Sequence, residues 1–192
     1  MIARAPGLFF SLLVALAACG PGGRQGEALT ATNVTGSEGV ELVMACTPTG
    51  PELCFNAIDD NCNGVIDEGC GVATGVVAFS IAWGEVLADV DIAVTDPTKA
   101  IASEGSRSTP SGMRLDRDCP TEQCNGQNEE TVYFEGTEPP HGKYSVEVTL
   151  SDPHGAPTPV RVRLSARVGS RVIGANIVLL HKDDKKKLSF DL

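Results

Sequence analysis

The sequence predicts a mainly β protein, an antiparallel β-sandwich preceded by a small cysteine-rich module and a flexible tether. Three observations carry the prediction. From about Gly71 onward the chain is a series of runs rich in Val and Ile separated by turn residues. Apolar residues alternate with polar ones in Tyr144, Val146, Val148 and Leu150, and again in Val160, Val162, Leu164, Ala166 and Val168, where Arg161, Arg163 and Arg167 take the opposite face. That period of two is the signature of a strand with one buried face. No convincing amphipathic helix lies between the runs. The expected strands are 76–83, 90–95, 131–134, 144–150, 160–168, 172–180 and 188–192. This is the number and spacing of a sandwich of roughly 120 residues. The first is an almost continuous apolar run ending in Trp83, and in the second Val90, Ile92 and Val94 share a face. The polar stretch 181–187 (HKDDKKK) is expected as a solvated turn before the last strand.

Composition narrows the function classes. The chain has 192 residues, with 15 Lys and Arg against 25 Asp and Glu, a formal charge of −10. Phosphate contacts need a basic face, so the balance excludes a nucleic-acid binder. At 42% hydrophobic residues the chain can build a core. Seven Cys in so short a chain point to an oxidising compartment.

The odd cysteine count is explained at the N-terminus. Arg4 precedes an eleven-residue apolar run, 8–18 (LFFSLLVALAA). About 20 apolar residues are needed to span a bilayer, so residues 1–18 read as a signal peptide. The run closes on Leu16-Ala17-Ala18-Cys19, which resembles a bacterial lipobox. The resemblance implies cleavage before Cys19 and acylation of its thiol. Two or three acyl chains, at about 0.8 kcal/mol per buried CH₂, make a durable membrane anchor. Gly20 stands where a retention Asp would, so the outer membrane of a bacterial cell envelope is expected over the inner. Residues 19–45, rich in Gly, Thr and Ser, read as a lipidated flexible tether.

Residues 46–70 read as a separate module. Cys46, Cys54, Cys62 and Cys70 stand eight residues apart in a span too polar to bury a core, which therefore needs staples. Structural zinc sites bring Cys in pairs two to four residues apart, so disulfides are the better reading, with all three pairings open. Within the module, oxygen-bearing residues fall on alternate positions: Asp59, Asn61, Asn63, then Gly64 at the sixth place, the Val65 carbonyl at the seventh and Asp67 at the ninth. This is most of the EF-hand calcium-loop pattern, whose sixth position must turn sharply around the ion. The twelfth place holds Cys70, so Glu68 or Asp60 is expected to supply the further oxygen. Apolar Ile66, at the eighth place, is expected to pin the loop to its neighbour. The segment 54–70 resembles the metal-binding motif repeated in MopE-type and other bacterial surface proteins. The fold class is thereby completed as a sandwich behind a disulfide-rich calcium-loop module. With Asn in place of two Asp, Ca²⁺ binding is expected in the range of about 10⁻⁴ to 10⁻³ M. Copper would need His, Met or free thiolate, which the loop lacks.

A second acidic constellation lies in the expected sandwich (residues 71–192). Asp89 and Asp91 share one strand face, Asp116 and Asp118 flank Arg117, and Glu130 opens an aromatic strand. These five carboxylates form a possible second metal site. Cys119 and Cys124 bracket a four-residue loop and are expected to form a local disulfide pinning it beside them. The order of Ile81-Ala82-Trp83, Asp89-Val90-Asp91-Ile92, Leu115-Asp116-Arg117-Asp118, Glu130-Thr131-Val132-Tyr133 and Pro140-His141-Gly142-Lys143-Tyr144-Ser145-Val146 resembles the YfaP-type family of bacterial β domains. That resemblance implies a fold more than an activity. Ala93 replaces the His often found in the family after this Asp-x-Asp.

No nucleophile elbow, zincin motif or phosphate loop occurs, no Cys is left over as a nucleophile, and His141, His154 and His181 are expected in exposed turns. The chain is therefore expected to be no enzyme but a lipid-anchored, calcium-stabilised binding module for a protein or glycan partner. The alternative is a metal-dependent hydrolase, or an accessory subunit of an envelope enzyme, using the acidic cluster.

Overall fold

The computed structural model describes residues 28–43, 46–121 and 124–192. The expected signal peptide and the lipidation residue Cys19 lie outside these. The described chain is a two-sheet antiparallel sandwich. Its strands are β1 (Thr32–Gly36), β2 (Val40–Val43), β3 (Val77–Trp83), β4 (Asp89–Thr95), β5 (Ile101–Ala102), β6 (Met113–Leu115), β7 (Asn128–Phe134), β8 (Lys143–Asp152), β9 (Val160–Val168), β10 (Arg171–Leu179) and β11 (Lys185–Asp191). One sheet has the order β1-β11-β8-β4-β5 and the other β2-β10-β9-β3-β7-β6.

The alternation read from the sequence is the alternation of burial. In β8, Tyr144, Val146, Val148 and Leu150 are buried, and in β9 Val160, Val162, Leu164, Ala166 and Val168 are. The inward residues of both sheets form one core, centred on Phe79, whose ring centroid lies 6.1 Å from Tyr144 and 5.8 Å from Phe190 across the sheet interface, while those two stack at 5.6 Å within one sheet. Two polar handles within it are satisfied: Tyr144 Oη donates to the Pro140 carbonyl and Trp83 Nε1 to the Ala88 carbonyl, each at 2.8 Å.

Three expectations are corrected. The tether expected over 19–45 is, from Thr32 to Val43, part of the sandwich: β1 pairs with β11 and β2 with β10, each closing one sheet edge. These strands are short, and Val34, Val40 and Leu42 are enough to pack against the core. Secondly, β11 begins at Lys185 inside the expected solvated turn, because Lys185 and Lys187 point to one face and share Glu147 of β8 at 2.8 and 2.9 Å. Thirdly, the cysteine module is not separate. It lies on the outer face of the six-stranded sheet, where Ser165 Oγ of β9 donates to the Ala57 carbonyl at 2.6 Å and Ala57 is fully buried. Strand β3 offers only Ala78, Ser80 and Ala82 on that face, so the module approaches closely and β3 is buried on both sides.

Candidate functional site

The module is held by disulfides Cys46–Cys62 and Cys54–Cys70, which leaves one of the three pairings, and the loop after β6 by Cys119–Cys124. Between the first two bridges the acidic loop winds as a series of Asx turns. Asp59, almost buried, accepts the backbone N–H of Asn63 at 3.0 Å and of Gly64 at 2.8 Å through its two carboxylate oxygens. Asn61 Oδ1 accepts Asn63 N–H at 3.0 Å, and Asn63 Oδ1 accepts Val65 N–H at 2.8 Å. Gly64 has φ of +88° and an added Cβ would stand 2.4 Å from the Ser170 carbonyl oxygen, so the turn takes no side chain there. Ile66 is buried, as its pinning role requires.

The side chains then divide. Asn61 and Asn63 converge on Glu68 Oε1, the amide of Asn61 at 2.5 Å and that of Asn63 also in contact. Glu68 Oε2 is buried with no partner among the described residues. Burial raises the Glu68 pKa, but bonds from Asn61, its own backbone N–H and Asn63 outweigh it and hold the group below the usual carboxylate range. Glu52, which the loop register does not reach, faces the same cluster. Its Oε1 accepts Asp67 N–H at 2.9 Å, its Oε2 is buried without a partner, and burial and the Glu68 charge push it up to about 7. The only sequence signal for Glu52 is its place between two stapled cysteines.

Two expected ligands face elsewhere. Asp60 accepts Thr49 Oγ1 at 2.8 Å, Asn56 Nδ2 at 2.9 Å and Leu53 N–H at 3.2 Å, so of Asp60 and Glu68 it is Glu68 that lies with Asn61 and Asn63. Asp67 is fully buried and turned into the sheet-facing side of the module, where it accepts Ala57 N–H at 2.9 Å and Asn56 N–H at 3.2 Å. There it meets Glu129 of β7, which is also fully buried. Burial, then the Asp67 charge, pushes Glu129 up to about 8, and burial raises Asp67 as well. One proton shared between the two carboxyls meets both requirements. Arg117, 3.9 Å from Glu129 and stacked 5.0 Å over the Phe55 ring, closes this joint between module and sandwich.

The second constellation is only partly the expected one. Oxygens of Asp91, Glu104 and Asp118 lie within 4.8 Å of one another, a group that can hold a metal ion. Glu104 was outside the expected set. It comes from the loop after β5, and nothing in its sequence neighbourhood relates it to Asp91. Asp89 lies beside them, pushed up to about 6 by burial and then by the charges of Asp91 and Asp118. Asp91 also accepts Ser151 Oγ. Asp116 is diverted, accepting Ala73 N–H at 3.2 Å. Glu130 is buried beneath the cluster with its carboxyl taken by Cys119 N–H at 2.9 Å and Ile92 N–H at 3.0 Å, so it braces the site instead of lining it. His141, His154 and His181 are exposed.

In comparisons with known proteins, no family model, no curated protein and no solved structure matches the chain. The site must therefore be read from its own chemistry. At the focus of the loop the amide N–H groups of Asn61 and Asn63 donate to Glu68 Oε1 while their own Oδ1 atoms accept backbone N–H groups, and Glu68 Oε2 is buried with no partner among the described residues. A cation here would take the place of those two amide N–H groups at Glu68, and the loop offers it oxygens and no soft ligand.

Proposed function

We propose that the chain is a lipid-anchored protein of the bacterial cell envelope. Its β-sandwich acts as a binding module for a protein or glycan, stabilised by Ca²⁺ in the disulfide-stapled loop. The observation that carries the calcium reading is the backbone wrap of Asp59 around the fifth and sixth loop residues, with Asn61, Asn63 and Glu68 gathered at one point. Asp59, Asn61, Asn63 and Glu68 would hold the ion, with the Val65 carbonyl completing the loop register. The ion would supply positive charge to a group of carboxylates that otherwise repel, and its binding to the folded state alone would raise stability. The resemblance of 54–70 to the MopE-type motif and of the sandwich to YfaP-type domains supports the same reading, as does the lipobox at Cys19 for the anchor and for outer-membrane placement.

Calorimetric titration with Ca²⁺ at low ionic strength is expected to show saturable binding in the range of about 10⁻⁴ to 10⁻³ M. Melting is expected to shift upward with the ion and back with chelator, and Asn63→Ala with Glu68→Gln to abolish both effects. No heat at millimolar ion and an unchanged melt would overturn the calcium reading. The anchor is tested separately by Cys19→Ser, which is expected to move the protein from the membrane pellet to the soluble fraction.

A second reading rests on the Asp91, Glu104 and Asp118 group. These carboxylates would serve a metal-dependent hydrolase or an accessory subunit of an envelope enzyme. It requires that Asp118→Asn abolish a turnover while leaving the melting temperature unchanged.

A further inference from the structure

The disulfide module covers only part of the outer face of the six-stranded sheet, and beside it lies a cavity of about 840 Å³. This is within the range of small-molecule sites, about 300 to 1,000 Å³. Its position follows from strand register. Glu41, Asn176, Arg163 and Ala82 are successive partners across β2, β10, β9 and β3, so they form one transverse row on this face. Arg161, two residues along β9 from Arg163, points the same way and is paired with Val178. The module contributes Phe55 as a wall, and the backbone at the end of β3, with Gly84, closes the floor.

The charge on this floor is unusual for so acidic a chain. Arg161 and Arg163 form no ion pair with the described residues. Glu41 is the one acidic lining residue, and it is exposed. Arg163 is held in place: Nη1 donates to Asn176 Oδ1 at 3.0 Å, and the guanidinium lies flat against Gly174, where an added Cβ would stand 2.1 Å from Nη2. Its Nε is buried with no acceptor among the described residues, and burial pulls its pKa down while leaving it charged at neutral pH. A partly desolvated cation without a counter-charge is costly unless something completes it. The neighbouring Ala82, Phe55 and Val178 offer the completing group an apolar surround.

We propose that this cavity binds a small carboxylate carried on an apolar or aromatic body, its oxygens on Arg161 and Arg163 and its body against Phe55, Ala82 and Val178. Planar guanidinium groups match a carboxylate in two-point contact, and the lining suits a body with no further charge. The proposal is independent of calcium. The carboxylate can belong to a free acid or to the C-terminus of a peptide.

The probes are N-acetylphenylalanine, its neutral amide, inorganic phosphate and a tetrapeptide ending in Phe with free or amidated C-terminus, each followed by ¹H–¹⁵N chemical-shift titration of the full chain carrying Cys19→Ser. N-acetylphenylalanine is expected to give saturable shifts in β9, β10 and residues 55–56, and the amide to bind at least about tenfold more weakly, a difference of about 1.4 kcal/mol. Arg161→Gln, at an exposed position that folding does not depend on, is expected to weaken the acid to the level of the amide. Gly174→Ala, which drives a methyl group into the Arg163 guanidinium, is expected to do the same if it folds. Tighter binding of the free tetrapeptide than of N-acetylphenylalanine would assign a peptide C-terminus, and equal or weaker binding a free acid. The proposal is overturned if acid and amide bind alike, if phosphate competes as well as the acid does, if Arg161→Gln binds as the parent, or if no saturable shift appears at millimolar acid.

Discussion

At Gly64 two demands meet that no other residue satisfies, a φ of +88° and a neighbouring carbonyl oxygen 2.4 Å from where Cβ would be. Gly69 has a similar φ of +81° with nothing within 4 Å. Gly64→Ala should therefore cost about 2 kcal/mol or more in urea unfolding, since backbone around Ser170 must shift, while Gly69→Ala should cost about 1 kcal/mol. The Asp67 and Glu129 pair makes a second prediction at this scale. The folded state keeps a proton on Glu129 up to about pH 8, whereas an ordinary Glu releases it near 4.5. Between those values the unfolded chain binds fewer protons than the folded one, so this group makes stability fall as pH rises. Melting temperature should drop from pH 5 to pH 8.5, and Glu129→Gln, which can still donate to Asp67, should flatten that slope and be the more stable protein at the alkaline end. Asp67 also marks the limit of local reading. In the loop register it is the ninth-position ligand, yet its carboxylate is taken by two N–H groups of the preceding turn and by Glu129 from a strand far along the chain.

At the scale of elements, the seven central strands were legible because most of them bury one face, and burial every second residue is written into the sequence itself, while β3, buried on both faces, shows as an almost continuous apolar run. Strands β1, β2, β5 and β6 were not. They run for only two to five residues, and they are the edges of the two sheets. An edge strand needs hydrogen bonds from one neighbour and little apolar surface, so it leaves a weak pattern. The two long disulfides each span 16 residues of sequence. Removing either by paired Ser substitution should cost roughly 3 kcal/mol and loosen the module from the sheet, measurable as a lowered melting temperature and faster proteolysis between residues 46 and 70. The Cys119–Cys124 bridge, with a separation of 5, should matter less for stability and more for the placement of Asp118.

The whole molecule is one core with an added layer. Phe79 comes from one sheet and Tyr144 and Phe190 from the other, so the stack they form holds the sheets together. Phe79→Ala should destabilise the protein by about 3 to 5 kcal/mol, as followed by denaturant unfolding. The acidic cluster of Asp91, Glu104 and Asp118 exists only because three loops and strands meet at one corner of the sandwich.

Read alone, the chain specified a β-sandwich, an even set of six stapling cysteines behind Cys19 and an Asx-rich loop turning at Gly64, because periodicity, parity and turn chemistry are local properties. Only the assembled sheets decided which cysteines pair, that Glu68 and not Asp60 joins Asn61 and Asn63, that Glu104 replaces Asp116 beside Asp91, and that Arg161 and Arg163 have no counter-charge among the described residues beside Phe55. Those outcomes depend on which residues are brought together across strands and layers, and the register that brings them together is set by the burial of the core, not by the neighbours of each residue in sequence.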